Sequence, residues 1–191
     1  MRSLWRTSMK KASLLIGLAL AFSGCAPGYV TESTAPVLLR ITGMSPAIVQ
    51  SDVVSDDGVV TQDNITMGLA VRSKNPNVTV PQVAIAVFME RYEVRYFRSD
   101  GRNAEGVDVP YRISGPMAGP IDAANSGSTD FTLEIVRRQA KLDPPLRNLQ
   151  SAGGAIVVSV FAEITVHGRT TAGQAVSDTA RVQIDFGDFA G

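Results

Sequence analysis

Apolar residues recur at every second position near the C-terminus, and this pattern restricts the fold more than any other feature of the chain. A period of two is typical of a β-strand that buries one face. Asp178 is the single polar residue within the two even-numbered runs. We therefore predict two long strands with buried even-numbered faces, formed by Ile156, Val158, Val160, Ala162, Ile164 and Val166 and by Val176, Ala180, Val182, Ile184 and Phe186.

The segment between these two strands predicts how they pair. Residues opposite each other in an antiparallel pair share a face, so the connecting loop has an odd number of residues. Thr171-Ala172-Gly173 fits a three-residue turn with Gly173 in the left-handed conformation. This register places Glu163 opposite Arg181 on the solvent face, where an ion pair adds on the order of a few tenths of a kcal/mol. We therefore predict a long C-terminal hairpin.

Shorter alternating runs extend the strand prediction to the rest of the chain. They lie at residues 37–41, 65–71 and 131–135, and turn-forming clusters separate them at 55–58, 74–77, 99–101 and 125–127. One short helix is predicted over 143–149, with Asp143 as its N-cap and Pro144 in the first turn. The expected fold is all-β: a two-sheet antiparallel β-sandwich of the immunoglobulin or fibronectin-III type with at most one short helix.

The alternation changes phase between Val83 and Arg98. Apolar residues are odd-numbered as far as Met89, whereas Tyr92, Val94 and Tyr96 continue the apolar series on even numbers. A one-residue bulge near Glu90 produces this change, and so does a strand that leaves one sheet and joins the other. Both alternatives stay open at this point.

Three arginines accompany this phase change. Arg91 and Arg95 take the odd positions opposite the apolar face, and Arg98 follows them. Such a series is typical of a solvated strand face, and guanidinium groups also suit contacts with a glycan or a protein. We predict Arg91, Arg95 and Arg98 as partner-contact residues.

The first 24 residues predict a removable secretion signal. Four basic residues without an acid precede an apolar run from Ala12 to Phe22, and the small residues Ser23 and Gly24 follow. A membrane-spanning helix needs roughly 20 apolar residues, about twice the length of this run. We predict cleavage after residue 24, a flexible tether over 25–36 and a single domain over 37–191.

The residues at the predicted cleavage point carry a family resemblance. Phe22-Ser23-Gly24-Cys25 resembles the bacterial lipobox, with Phe22 where that motif usually carries leucine. The resemblance implies that Cys25 is acylated and holds the protein to the lipid bilayer through several chains. Ala26, in place of the aspartate of lipoproteins retained at the inner membrane, implies delivery to the outer membrane, with the leaflet and orientation left open.

Cysteine content and charge limit the function classes. Cys25 is the only cysteine, so its acylation leaves no thiol for a disulfide, a thiolate metal site or a cysteine nucleophile. Cleavage leaves 167 of the 191 residues, a one-domain length. It also removes four of the 18 basic residues, so that 14 remain against 18 acidic ones, a net charge of −4. A mildly acidic domain has no electrostatic reason to bind nucleic acid.

The chain offers few groups for catalysis or metal binding. His167 is the sole histidine, which excludes multi-histidine metal sites. The predicted register places His167 opposite Ser177, but Asp178 points to the other face, so no Ser-His-Asp triad is expected. We predict no catalytic residue, no metal and no cofactor.

Four acids near residue 58 invite a calcium interpretation. Asp52, Asp56, Asp57 and Asp63 flank Gly58, but the EF-hand spacing fails because its closing glutamate position is occupied by Asn64. We expect a solvated turn at this segment. A looser calcium site on other loops stays open.

A second resemblance concerns residues 60 to 97. An apolar strand that ends in Asn75-Pro76-Asn77, followed by a long alternating strand, resembles the water-stress and hypersensitive-response domain of late-embryogenesis-abundant group-two proteins. That resemblance implies a fibronectin-III-like sandwich, no enzymatic activity and an association with stress protection. Beyond the structural turn at Asn75, Pro76 and Asn77, it implies no functional residue.

These observations lead to one functional prediction and one alternative. We predict a non-catalytic outer-envelope lipoprotein that acts by surface contact as an accessory or structural subunit, with an envelope protein as its partner. The alternative is a membrane-anchored domain that protects against stress or binds a small ligand.

Overall fold

The computed structural model describes residues 34–75, 77, 86–122, 128–152 and 154–189, and over these residues the protein is all-β. The strands, in chain order, are β1 Val37–Ser45, β2 Ile48–Asp52, β3 Asp63–Ser73, β4 Val87–Phe97, β5 Ile113–Ile121, β6 Thr129–Val136, β7 Val158–Thr170 and β8 Ala175–Gly187. They form two sheets, with the orders β1-β3-β6 and β2-β8-β7-β4-β5. The predicted all-β class and the presence of two sheets are confirmed.

Both sheets contribute their buried faces to one hydrophobic cluster. Alternate residues of β3, β7 and β8 point into it, as the period of two predicts. The largest fully buried apolar side chains are Phe186, Ile65, Met67, Leu69, Ile121, Ile135, Leu146, Ile164 and Ile184. Burial of this apolar surface is the main force that holds the sheets together.

The C-terminal hairpin has the predicted register. Glu163 pairs with Arg181 across β7 and β8. The Thr170 N–H donates to the Gln174 carbonyl at 2.9 Å, which leaves three residues in the turn, and Gly173 has a φ of 80°. The buried face begins later than predicted, because Ile156 precedes β7 and is 55% exposed.

A bulge accounts for the change of phase in β4. The register against both β5 and β7 shifts between Met89 and Arg91, while β4 remains within the five-stranded sheet. Val87 and Met89 are buried before the shift and Tyr92 after it. Of the two alternatives for the described residues, the bulge is therefore the correct one, and residues 83 to 85 lie outside the described ranges.

The prediction of a purely antiparallel arrangement is wrong for β2, which runs parallel to β8. β1 belongs to the three-stranded sheet and β2 to the five-stranded sheet, with Pro46 between them. Pro46 has no N–H to give to a ladder, so it marks the break between the two pairings. After this break the chain continues as β2, which pairs with β8 in the parallel direction.

The prediction of at most one short helix is also wrong, because two short helical segments follow β6. Helix α1 spans Arg138–Leu142, and a 3₁₀ turn spans Leu146–Leu149. Asp143 and Pro144 each precede a proline, which disfavours helical backbone, so the predicted helix begins only after Pro145. Asp143 is the C-cap of α1 and not an N-cap. None of the helices in the described ranges is long and apolar enough to cross a membrane.

The folded domain begins slightly before the predicted boundary at residue 37. Ala35 is buried, and the Pro36 carbonyl accepts a hydrogen bond from the Lys74 N–H at 2.9 Å. Cys25, the predicted signal and the rest of the tether lie outside the described residues.

Candidate interaction surface on the five-stranded sheet

The solvent-facing side of strands β4, β7 and β8 forms a continuous polar surface, here called the outer face. Three cross-strand rows compose it: Arg91-His167-Ser177, Glu93-Thr165-Thr179 and Arg95-Glu163-Arg181. The bulge in β4 brings its arginines to this side, because odd-numbered residues point outward only after Met89. The outer face is therefore a product of the phase change that the sequence displays.

Two of the three predicted partner-contact arginines lie together on the outer face. Arg91 and Arg95 are both exposed. Arg98 follows the end of β4, and its Nε and Nη2 atoms donate to the Asp100 carboxylate at 3.2 and 2.8 Å. The Arg102 N–H, together with the guanidinium groups of Arg98 and Arg102, lowers the pKa of Asp100 to about 2. Arg98 thus belongs to a loop ion pair and not to the row of Arg91 and Arg95.

Most charges on the outer face are paired. Arg91 contacts Glu93, Arg169 donates to Glu90 at 2.9 Å, and Arg181 donates twice to Glu163, at 3.0 and 2.8 Å. Arg95 stands opposite Glu163, whose carboxylate Arg181 already holds. Within the described part of the chain, Arg95 makes no ion pair and no side-chain hydrogen bond. Its guanidinium group is therefore free for an external carboxylate or phosphate.

Aromatic rings border the outer face. The Phe97 and Phe161 rings stack with their centroids 5.8 Å apart, and the Arg181 guanidinium lies 4.8 Å from the centroid of the Phe97 ring. A cation over an aromatic ring is attracted by about 0.5–1 kcal/mol at an exposed site. These contacts fix the side chain of Arg181 and leave Arg95 as the more adaptable arginine of the row.

A groove lies beside the outer face, between β4 and β5. It has a volume of about 630 Å³ and is open to solvent, and its lining includes Arg91, Glu93, Arg95, Arg112, Ser114 and Pro116. The groove arises because long side chains on β4 stand next to small side chains on β5. We call it the β4–β5 groove.

His167 occupies its predicted position opposite Ser177, but no triad results. Asp178 points to the other face of β8 and accepts a hydrogen bond from the Ile41 N–H at 2.8 Å. The His167 Nε2 atom has no hydrogen-bond partner among the described residues, and its distance to Glu93 Oε1 is 3.8 Å. The arrangement lacks the carboxylate that orients a catalytic histidine.

Burial lowers the pKa of His167, and the neighbouring Arg91 guanidinium lowers it further, while Glu90 opposes the shift. The unfolded chain, with the ordinary pKa of 6.5, then binds more protons than the folded protein at mildly acidic pH. Well above pH 6.5 the imidazole is neutral in both the folded and the unfolded state, so it adds no pH dependence to the free energy of unfolding. Protonation of His167 therefore destabilises the folded protein as the pH falls through 6.5, the pKa of the imidazole in the unfolded chain.

We expect His167→Gln to reduce the loss of stability between about pH 7.5 and about pH 5.5, a range above most carboxyl titrations. Urea unfolding of both proteins at the two pH values measures the effect. Thr165→Val, one row away on the same strand, is the control and should retain the wild-type pH dependence. An unchanged pH dependence in His167→Gln would contradict the assignment.

The acids considered for calcium make separate contacts. Asp57 accepts hydrogen bonds from the Ser55 hydroxyl and the Val59 N–H, and Asp52 accepts one from the Phe189 N–H. Asp63 pairs with Lys141. No group of three or more His, Cys, Asp or Glu residues suited to a metal occurs among the described residues.

The predicted turn residues have structural roles where the structure describes them. The Asn75 side-chain oxygen accepts a hydrogen bond from the Asn77 N–H at 3.0 Å, which closes an Asx turn at the end of β3. Gly173 takes the left-handed position of the C-terminal hairpin. Pro76 and the residues of the predicted turn at 125–127 lie outside the described ranges.

Sequence reasoning missed a buried ion pair at the base of α1. The Lys141 side chain is fully buried, and its Nζ lies 3.0 Å from both Asp63 carboxylate oxygens and 2.7 Å from the Asp52 carbonyl. The Ser51 hydroxyl also donates to Asp63, at 2.5 Å. Asp178 interrupts an apolar series, and this interruption indicates an inward polar contact. The sequence around Lys141 has no comparable pattern that would predict its burial.

Comparison with known proteins adds no family assignment. No protein-family model matches the chain, and no curated protein shows significant similarity to it.

Proposed function

We propose that the domain is a fibronectin-III-like β-sandwich. The strand order supports this proposal. By their order along the chain and their place in the sheets, β1, β3 and β6 correspond to strands A, B and E of immunoglobulin-type domains, and β4, β7 and β8 correspond to strands C, F and G. The short β2, parallel to the last strand, corresponds to a continuation of the first strand onto the second sheet. The Tyr96 hydroxyl, which donates to the Ile135 carbonyl at 2.5 Å, ties strands of the two sheets together.

We further propose that acylated Cys25 anchors this domain to the outer membrane. The basic start, the short apolar run and the lipobox-like ending support the proposal. The described chain starts at Thr34, whose carbonyl accepts a hydrogen bond from Gln174 near the tip of the C-terminal hairpin. The tether therefore joins the domain at its hairpin end.

We propose that the protein acts by surface contact, as a non-catalytic accessory or structural subunit of the envelope. The observation that carries this proposal is the outer face, an ordered polar surface on which Arg95 has no partner among the residues that the structure describes. Interface contacts of this kind commonly use arginine, since its planar fork binds carboxylates with two hydrogen bonds.

Crosslinking in intact cells tests the contact role. The full-length, acylated protein is purified through a C-terminal tag, and we expect one envelope protein in stoichiometric amount. Combined Arg91→Glu and Arg95→Glu substitutions should abolish its recovery, because they place carboxylates where the partner requires cations. Arg72→Glu, at an exposed position on β3 of the other sheet, is the matched control and should retain the partner.

Two results would contradict the contact role. Recovery of the protein alone from crosslinked cells would exclude a stable partner. Equal loss of the partner in the outer-face variant and in Arg72→Glu would show that the effect comes from net charge and not from this surface.

A further inference from the structure

The shape of the β4–β5 groove follows from the residues that β5 turns outward. Ser114 and Pro116 of its lining are exposed and small, and β5 is an edge strand. Long side chains of β4 stand beside this low floor and form one wall. β5 has no second strand partner among the described residues, and the Arg137 guanidinium donates to its Ser114 carbonyl at 2.8 Å. The groove above the strand is open to solvent, so an extended chain can lie along it.

The free edge of β5 does not offer a full ladder for strand addition. Pro116 and Pro120 lie four residues apart in the strand and have no N–H, so two donors are missing along β5. Peptides that extend a sheet rely on such main-chain donors for affinity. A ligand in the β4–β5 groove must therefore be held mainly by side chains.

The charges that line the groove favour an anionic ligand. Its carboxylates, Glu90 and Glu93, each have an arginine partner in Arg169 and Arg91. Arg112, on the β5 side, pairs with Glu105, and its side chain is 64% exposed, so this pair is weak. Arg95 has no partner within the described residues. The groove thus presents one free and one loosely held guanidinium group.

We propose that the β4–β5 groove binds an extended acidic segment of the envelope partner, with Arg95 making paired hydrogen bonds to one of its carboxylates. The inference rests on the proposed contact function and specifies the chemistry of the partner. A carboxylate fits the planar guanidinium fork, and the apolar surface of Pro116 fits the small or aliphatic residues between the acids. The volume of about 630 Å³ lies in the range of ligand sites.

Fluorescence anisotropy with a synthetic probe tests this proposal. The full-length protein, purified in detergent with its anchor, is titrated into a short labelled peptide of alternating Glu and Val residues, and into the matched peptide of Gln and Val. We expect the acidic peptide to bind and the Gln peptide to bind at least roughly tenfold more weakly. Arg95→Gln should lower the affinity for the acidic peptide by roughly tenfold, and Arg72→Gln should leave this affinity unchanged.

Three results would overturn the proposal. The first is equal binding of the two peptides, or no binding of either at millimolar concentration. The second is an equal response of Arg95→Gln and Arg72→Gln. The third is binding of inorganic phosphate through Arg95 without binding of the acidic peptide, which would assign the groove to phosphate groups. Because the titration needs no cellular partner, it can fail while crosslinking succeeds, and the contact function would then stand with a partner that is not an extended acidic segment.

Discussion

Lys141→Met is expected to lower the free energy of unfolding by about 3 kcal/mol, the largest effect of any single side-chain charge in the described structure. The Lys141 side chain is fully buried, and Asp63, with 17% of its side chain exposed, is its partner. Methionine keeps most of the volume but leaves the Asp63 carboxylate without its cation. The Asp52 carbonyl also loses its donor at 2.7 Å. Guanidinium chloride unfolding followed by circular dichroism measures the loss.

A second substitution separates the charge effect from packing. Asp63→Asn combined with Lys141→Met removes both charges, and we expect it to recover most of the lost stability, because a buried pair replaced on both sides is often nearly neutral. The Ser51 hydroxyl can still donate to the side-chain oxygen of an asparagine at position 63. If Lys141→Met alone is as stable as the wild type, the pair contributes nothing and the assignment is wrong.

Gly168→Ala is expected to cost about 2 kcal/mol, because β7 has no room for a methyl group at the β4 bulge. A Cβ atom there would lie 2.8 Å from the Phe88 carbonyl oxygen and 2.9 Å from Val87 Cγ1. The first of these atoms is backbone and cannot move without disturbing the pairing of Met89 with Gly168. Thermal and denaturant unfolding should both register the loss.

Gly43→Ala is the matched control for this prediction. Gly43 also lies in a strand beside a register shift, in β1, but a Cβ atom there would have nothing within 4 Å. We expect Gly43→Ala to be neutral or to stabilise the protein by up to about 1 kcal/mol, through the lower entropy of the unfolded chain. An equal loss in both variants would mean that glycine is required for backbone reasons and not for space.

The pattern of buried and exposed residues in the strands was predictable from the sequence because it depends on local backbone geometry. Successive side chains in a strand point to opposite faces, so the even-numbered face of β7 and the pairing of Glu163 with Arg181 followed from parity and loop length alone. The same rule located the change of face in β4, although it allowed two explanations. The structure chose the bulge because β4 pairs with β5 and β7 on both sides of the shift.

Only part of the candidate site could be predicted from the alternation of apolar and polar residues. Alternation placed Arg91 and Arg95 on one solvent face, but it could not show that the Glu163 carboxylate binds Arg181 and leaves Arg95 without an ion pair within the described ranges. It grouped Arg98 with them, since it could not foresee the loop contact with Asp100. The β4–β5 groove depends on which strand lies next to β4, which no local pattern specifies.

By itself, the sequence determined six of the eight strands, β1, β3, β4, β6, β7 and β8, together with the long C-terminal hairpin and the single cysteine behind a short apolar run, since each depends on residues that are near neighbours along the chain. It did not predict β2 or β5. Only the tertiary structure decided the parallel placement of β2, the pair of short helical segments and the burial of Lys141 against Asp63. The physical reason for the last of these is distance along the chain: 78 residues separate Lys141 from Asp63, and the pairing of β3 with β6, which places Asp63 opposite Val136, brings the two residues near each other.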